Sequence, residues 1–266
     1  MYFNGLGQSL ATDPPQYTYH ARNQLLYGDW DPFDYPRWAI YQHSLTSLAG
    51  YLWMSMTEVS LRQSNMVGIL LSFGALVFIL LGLSRHHRPW VLAAVAFAFV
   101  VNVTLLTHGR LSYLENGLMF WAGAMFWVYS WWGHRRAGVV VAGLIAAAAM
   151  LTGKLFGALL FPALLLTVLT GSGQSKRQQA MYAGASFVVA TALLGFALYG
   201  ARLAAVFAYT GEQSYGLRGF PDGLGTPWAF LEHLISYGFD HRLFYLNPEL
   251  LLMIVVGGLL FLPFRF

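Results

Sequence analysis

Seven apolar runs, separated by short polar connections, limit what this chain can fold into. They occupy residues 66–83, 90–106, 117–132, 137–151, 155–169, 181–201 and 249–263. A helix that crosses a bilayer needs about 20 mostly apolar residues, and a water-soluble domain has little use for so many such runs in succession. Composition agrees: 57% of the chain is hydrophobic and 10% is charged, whereas soluble domains carry roughly 25% charged residues. The expectation is an all-α integral membrane protein with about seven transmembrane helices.

Residues 1–65 precede the first run and read as a large external loop. Asp13-Pro14-Pro15 and residues 29–36 (DWDPFDYP) interrupt it, because proline lacks a backbone donor and restricts its predecessor. Beyond them Trp38, Tyr41, Leu45, Leu48, Leu52 and Met56 recur at three- and four-residue steps, with Gln42, Ser44, Ser47 and Ser55 between. That spacing predicts an amphipathic helix lying in the membrane interface. Residues 66–210 then form the transmembrane core, 211–248 a second external loop and 249–266 a final transmembrane helix. A further interfacial helix is expected within 223–245, around Trp228, Leu231, Leu234 and Ile235.

The connections orient the runs. Residues 84–89 (SRHHRP), 133–136 (GHRR) and 170–179 (TGSGQSKRQQ) hold Arg85, Arg88, Arg135, Arg136, Lys176 and Arg177, and no acid. Lys and Arg concentrate in cytoplasmic loops, which places these three inside. Alternation sends the other loops outside, and they contain every Asp and Glu of the chain. Asp13, Arg110, Glu115, Lys154, Arg218 and His241 thus share the external face. A polar start on that face needs something to carry it across, so an apolar span before residue 1 is expected.

Several chemistries are excluded. The chain has no Cys, which removes disulfides, zinc thiolates and thiol nucleophiles. Its net charge of +4 is scattered without a long basic run, unlike the clustered basic face that nucleic acid requires. The eight histidines form no HExxH or similar metal spacing.

The candidates for a site stand at the ends of the runs. In residues 107–121 (THGRLSYLENGLMFW), Arg110 and Glu115 mark the junction of two runs. A charge at membrane depth costs at least about 2.5 kcal/mol, so such residues sit at a water boundary, pair, or serve a function. Arginine suits a phosphodiester because its planar fork donates twice, and Glu115 would orient it or a sugar hydroxyl. Lys154 lies between two runs in MLTGKLFGALLFP, either snorkelling at a helix end or facing the phosphate of a lipid-linked substrate. It is no Walker lysine: the glycine five residues before Gly153 is missing and Leu155 replaces Ser/Thr. Asp13 is the best candidate acid, against the plainer reading of a turn or cap carboxylate. Asp29, Asp31 and Asp34 fit turns, sugar contacts or ligands of a divalent cation. No cofactor is required by the sequence, and that cation is the one candidate.

Residues 13–48 (DPPQYTYHARNQLLYGDWDPFDYPRWAIYQHSLTSL) resemble the first external loop of the GT-C superfamily of membrane glycosyltransferases. These include the protein O-mannosyltransferases and the aminoarabinose transferases of lipid A. The pattern is an acid, an aromatic, an Ala-Arg helix, a Gly-Asp turn and a Tyr/Pro-rich segment, matched by Asp13, Tyr17, Ala21-Arg22, Gly28-Asp29 and Tyr35-Pro36. GRLSYLEN is similar to the same enzymes' Arg-x-x-x-x-Asp/Glu segment, giving Arg110 and Glu115, and LTGK to their Leu-Thr-Lys segment, giving Lys154. Pro14 stands where Glu is usual, and Gly153 displaces the lysine by one position.

The resemblance implies a GT-C-like fold in the plasma membrane of a bacterium or archaeon, with further spans expected after residue 266. It implies transfer of a hexosyl or pentosyl group from a polyprenyl-phosphate carrier to a protein, lipid or glycan acceptor outside the cytoplasm. Asp13 would be the general base, Glu115 an orienting acid, and Arg110 and Lys154 the phosphate cations. Tyr17, Arg22, Arg218 and His241 would be further substrate contacts. Two other readings stand beside it: a transporter or flippase of a lipid-linked or anionic solute, and a structural membrane subunit without a site.

Overall fold

The computed structural model describes residues 17–30, 42–102, 109, 111–153, 155–170 and 175–200. All of these belong to the first of two units, Met1–Thr210 and Gly211–Phe266. Among them the secondary structure is helical, with no strand. The expected helix within 223–245 and the run at 249–263 lie outside the described residues.

Among the described residues two short helices precede the long ones. α1 (Tyr19–Tyr27) stops at Gly28, whose φ of 70° is left-handed and whose N–H donates to the Gln24 carbonyl. Glycine adopts that conformation without a Cβ clash. α2 (Leu45–Met56) is capped by Ser44, whose Oγ accepts from the Ser47 N–H at 3.1 Å. Its covered face is mostly small and polar: Thr46, Ser47 and Gly50 are buried along with Met54, whereas Leu52 is 62% and Met56 73% exposed. Of the expected apolar stripe, Leu52 and Met56 therefore point away from the protein, while Leu45 and Leu48 are partly covered. Trp38 and Tyr41 of that stripe lie outside the described residues.

The apolar runs follow. α3 (Leu61–Ser84) begins five residues before the expected 66, because Ser60 caps it and accepts from the Gln63 N–H at 3.3 Å. α4 (Pro89–Val101) is shorter than the run at 90–106. It leaves the helix at Asn102, whose ψ is 113°, where asparagine and the flanking β-branched residues favour extended backbone. α5 (Leu114–Trp132) and α6 (Arg136–Thr152) cover the next two runs. The run at 155–169 is divided: a 3-10 helix (Leu155–Leu159) leads into α7 (Leu160–Thr170). Pro162 explains the break, since proline is tolerated in the first turn of an α-helix and not in its interior. α8 (Lys176–Tyr199) completes the described part.

Two of these helices, α3 and α8, are long and apolar enough to cross a membrane. At 24 residues each they measure about 36 Å at 1.5 Å per residue, more than the ~30 Å hydrocarbon core. Their outer faces carry Phe73, Leu193 and Phe196, all more than 60% exposed. Apolar surface of that extent belongs against lipid rather than water.

Side-chain contacts fix the helix directions. Along α3 and α5, Ser64 meets Ser112, Phe78 stacks on Trp127 with centroids 5.2 Å apart, and Arg85 donates to the Ser130 and Trp131 carbonyls. Both helices advance together, so they are parallel. α6 opposes them, since Trp121 Nε1 donates to Thr152 Oγ1 at 2.9 Å near the end of α6. α8 is parallel to α6: Arg136 lies over the Tyr182 ring, and Tyr199 Oη donates to the Leu151 carbonyl at 2.6 Å. The bundle consequently has two chemically different ends. Arg85, Arg88, Arg135, Arg136, Lys176 and Arg177 gather at one, hereafter the basic end. The starts of α3 and α5, the ends of α6 and α8, and the helices α1 and α2 gather at the other, the polar end.

Small residues bring these helices close. A Cβ on Gly123 would lie 2.8 Å from the Ala75 carbonyl oxygen, and one on Gly143 the same distance from that of Ala183. Within lipid, association rests on such packing rather than on hydrophobic transfer. Val139, Ala142, Leu164, Val168 and Ala183 form a buried cluster among α6, α7 and α8.

Candidate functional site at the polar end

The segment from Gly109 to Tyr113 joins two apolar runs, and side chains from several elements hold its backbone. Ser72 Oγ of α3 donates to the Gly109 carbonyl at 3.3 Å. Asn116 Nδ2 of α5 donates to the Leu111 carbonyl. Thr46 Oγ1 of α2 donates to the Tyr113 carbonyl at 3.3 Å. Ser112 Oγ bonds Ser64 Oγ at 3.1 Å, and that hydroxyl in turn bonds Thr18 Oγ1 at 2.6 Å, at the start of α1. Leu111, Ser112, Ser64, Thr46 and Asn116 are all buried. Buried polar groups cost several kcal/mol unless paired, so a layer of them is retained only when each has a partner. Here the layer fixes the residues on both sides of Arg110.

Glu115 follows in the first turn of α5 and is exposed. A carboxylate there is favoured by the helix dipole. Tyr17 is half-buried, its ring 6.5 Å from that of Tyr113, so it joins the same region. Arg22 is exposed on α1, with its guanidinium 5.2 Å from the Tyr19 ring centroid. A second anchor lies at the end of α6. Thr152 accepts from Trp121 and donates to the Ala148 carbonyl at 2.7 Å. Gly153 is buried, and a Cβ there would lie 3.6 Å from the Leu118 Cα. Leu118 is three residues beyond Glu115, a rise of about 4.5 Å. Gly153 immediately precedes Lys154, so the residue before one candidate cation packs one turn along α5 from the candidate acid.

A line of rings completes this end. His20 is buried, its Nδ1 2.8 Å from the Trp30 carbonyl oxygen, and its ring stacks on that indole at 6.5 Å. Trp30 stacks on His43 at 6.4 Å, and His43 meets Tyr199 edge-on at 5.5 Å. The Trp30 indole also donates to the Gln42 carbonyl at 3.2 Å. These contacts tie the segment after α1 to the end of α8.

Of the residues singled out from sequence, Tyr17 and Glu115 are brought to one region and Arg22 stands on α1. Asp13, Arg110, Lys154, Arg218 and His241 lie outside the described residues, as do Asp31 and Asp34. Among the described residues no three His, Asp or Glu side chains come together to hold a metal ion. The buried polar layer itself escaped sequence reading. Its signal is present in α3, where Ser64, Gly68 and Ser72 recur every four residues and so share one face. No protein-family model, curated protein or solved structure matches the chain.

Proposed function

We propose that the protein is a membrane glycosyltransferase of the GT-C type, moving a sugar from a polyprenyl-phosphate carrier to an acceptor at the polar end of the bundle. The observation that carries this reading is the investment of three helices, α2, α3 and α5, in fixing the residues that flank Arg110. Buried serines, a threonine and an asparagine converge on Gly109, Leu111, Ser112 and Tyr113. A site that must hold a phosphate in register needs such support around its cation. Further support is the segregation of charge among the described residues, with Asp29, Glu58 and Glu115 at one end and the acid-free basic loops at the other. A transporter instead places its polar groups near mid-span.

In this reading about seven helices span the membrane, the polar end faces outside, and the acceptor is a protein, lipid or glycan hydroxyl. That hydroxyl attacks the anomeric carbon in line with the leaving phosphate. Asp13 takes the hydroxyl proton, the carbon–oxygen bond to the carrier breaks, and its electron pair stays on the phosphate. The leaving phosphate has a low pKa and needs charge stabilisation rather than a proton. Arg110 and Lys154 supply it, and preorganised charge is strongest where water is partly excluded. Glu115 orients Arg110 or a sugar hydroxyl, with Tyr17 and Arg22 as further donor contacts.

The test is purified protein given a panel of polyprenyl-phosphate sugars and candidate acceptors, following release of free polyprenyl phosphate. Acceptor-dependent release with one donor is expected. Arg110→Ala and Lys154→Ala should raise the donor KM, because each removes a cation facing the phosphate. Movement of an intact donor across a vesicle bilayer without bond cleavage would instead establish the transporter.

A further inference from the structure

We propose that the basic end of the bundle is a docking surface for the headgroups of anionic phospholipids in the surrounding bilayer, seated on Arg88, Arg135, Arg136, Lys176 and Arg177. The proposal rests on the chain spanning a membrane and not on sugar transfer.

Charge is the first reason. Six cations share this end, and the described acids, Asp29, Glu58 and Glu115, all stand at the other. Arg85 is engaged with the last carbonyls of α5, at Ser130 and Trp131. Arg88, Arg135, Arg136 and Arg177 are exposed, and no Asp or Glu among the described residues is placed to neutralise them. Such a cluster repels itself unless an outside anion enters it.

Helix polarity makes that need greater. α4, α6 and α8 all begin at this end, and a helix N-terminus is already partially positive. Their N-cap residues are Arg88, Arg135 and Ser175; none makes a side-chain cap, and none of the three first turns holds an acid. Cations at helix starts oppose the dipole, so the arrangement costs free energy in the protein alone. Headgroup phosphates relieve both terms, accepting from the uncapped N–H groups and pairing with the cations.

The bilayer is selected over a soluble acidic partner by the tryptophans. Trp90, two residues from Arg88, is 68% exposed. Trp131 is 39% exposed, and its Nε1 donates at 2.7 Å to the Leu81 carbonyl, at the last turn of α3. Indoles beside cations at the end of an apolar helix mark the level of the lipid headgroups.

The experiment uses the full chain in neutral detergent, offered equal amounts of phosphatidylglycerol and phosphatidylcholine with matched acyl chains. Native mass spectrometry counts the lipids retained at low and high salt. Phosphatidylglycerol should be preferred, and the preference should fall as salt screens it. Combining Arg135→Gln, Arg136→Gln, Lys176→Gln and Arg177→Gln should reduce the preference by about fivefold per cation removed. Arg62→Gln, exposed at the polar end, should leave it unchanged. Equal retention of the two lipids by the unaltered protein would overturn the proposal, and that arm depends on no variant folding. An undiminished preference in the fourfold variant would overturn it as well. Sugar transfer is read in a separate assay, so failure of one reading leaves the other standing.

Discussion

Asp13→Asn is expected to abolish turnover while leaving the protein folded and able to engage its donor. The substitution preserves size and removes only the capacity to accept a proton. General-base catalysis contributes about 10²–10⁴-fold, so kcat should fall by that factor with little change in donor KM. The contrast with Arg110→Ala and Lys154→Ala is the informative part, because those changes act on the phosphate and should appear in KM. If Asp13 is only a turn or cap carboxylate, the variant loses on the order of 1 kcal/mol of stability and keeps its rate. Wild-type turnover by Asp13→Asn would remove the proposed base even with the rest of the mechanism intact.

Gly68→Ala is expected to unseat the segment that flanks Arg110. Two effects oppose each other. Alanine is the better helix former by about 1 kcal/mol, which favours the variant. Against that, a Cβ at position 68 would lie 2.5 Å from the Leu111 carbonyl carbon, 2.9 Å from Asn116 Nδ2 and closer still to the Leu111 carbonyl oxygen. Backbone cannot yield as a flexible side chain does, and overpacking of this kind costs about 1–3 kcal/mol. The same shift pulls Leu111 from Asn116, adding about 1–3 kcal/mol for a buried hydrogen bond left unmade. The clash wins, so the melting midpoint in detergent should drop, and turnover should drop with it. Gly184→Ala is the control: the nearest atom to its Cβ would be Phe161 Cζ at 4.0 Å, and the variant should melt at or above wild type. Equal stability of Gly68→Ala and wild type would mean that α3 and the segment do not approach so closely.

The helices were the legible part of the sequence, because apolar runs bounded by Arg, Gly and Pro leave little choice. Their ends were less so. The run at 66–83 hid a helix start at Leu61, although Ser60 and Gln63 spell a capping signal. The run at 90–106 overstated α4, because apolar residues alone do not distinguish helix from the extended backbone at Asn102. The covered face of α2 was half visible: the apolar stripe was evident, but which side the protein would cover depended on contacts with α1, α3 and α5. The site divides in the same way. Arg110 and Glu115 announced themselves as charges between apolar runs. The partners that hold Gly109, Ser112 and Tyr113 did not, because Thr46, Ser64 and Ser72 lie 37 to 67 residues away in sequence and read individually as ordinary loop or helix polar residues.

What the mechanism requires above all is that the polar end face outside and the basic end face the cytoplasm. With no Cys in the chain, single cysteines report on this without background. Glu58 is exposed at the polar end and His86 at the basic end. In intact cells, Glu58→Cys should react with a membrane-impermeant thiol reagent, while His86→Cys should react only after the membrane is opened. Labelling of both positions from outside, or of His86→Cys alone, would contradict the orientation and with it the proposed site.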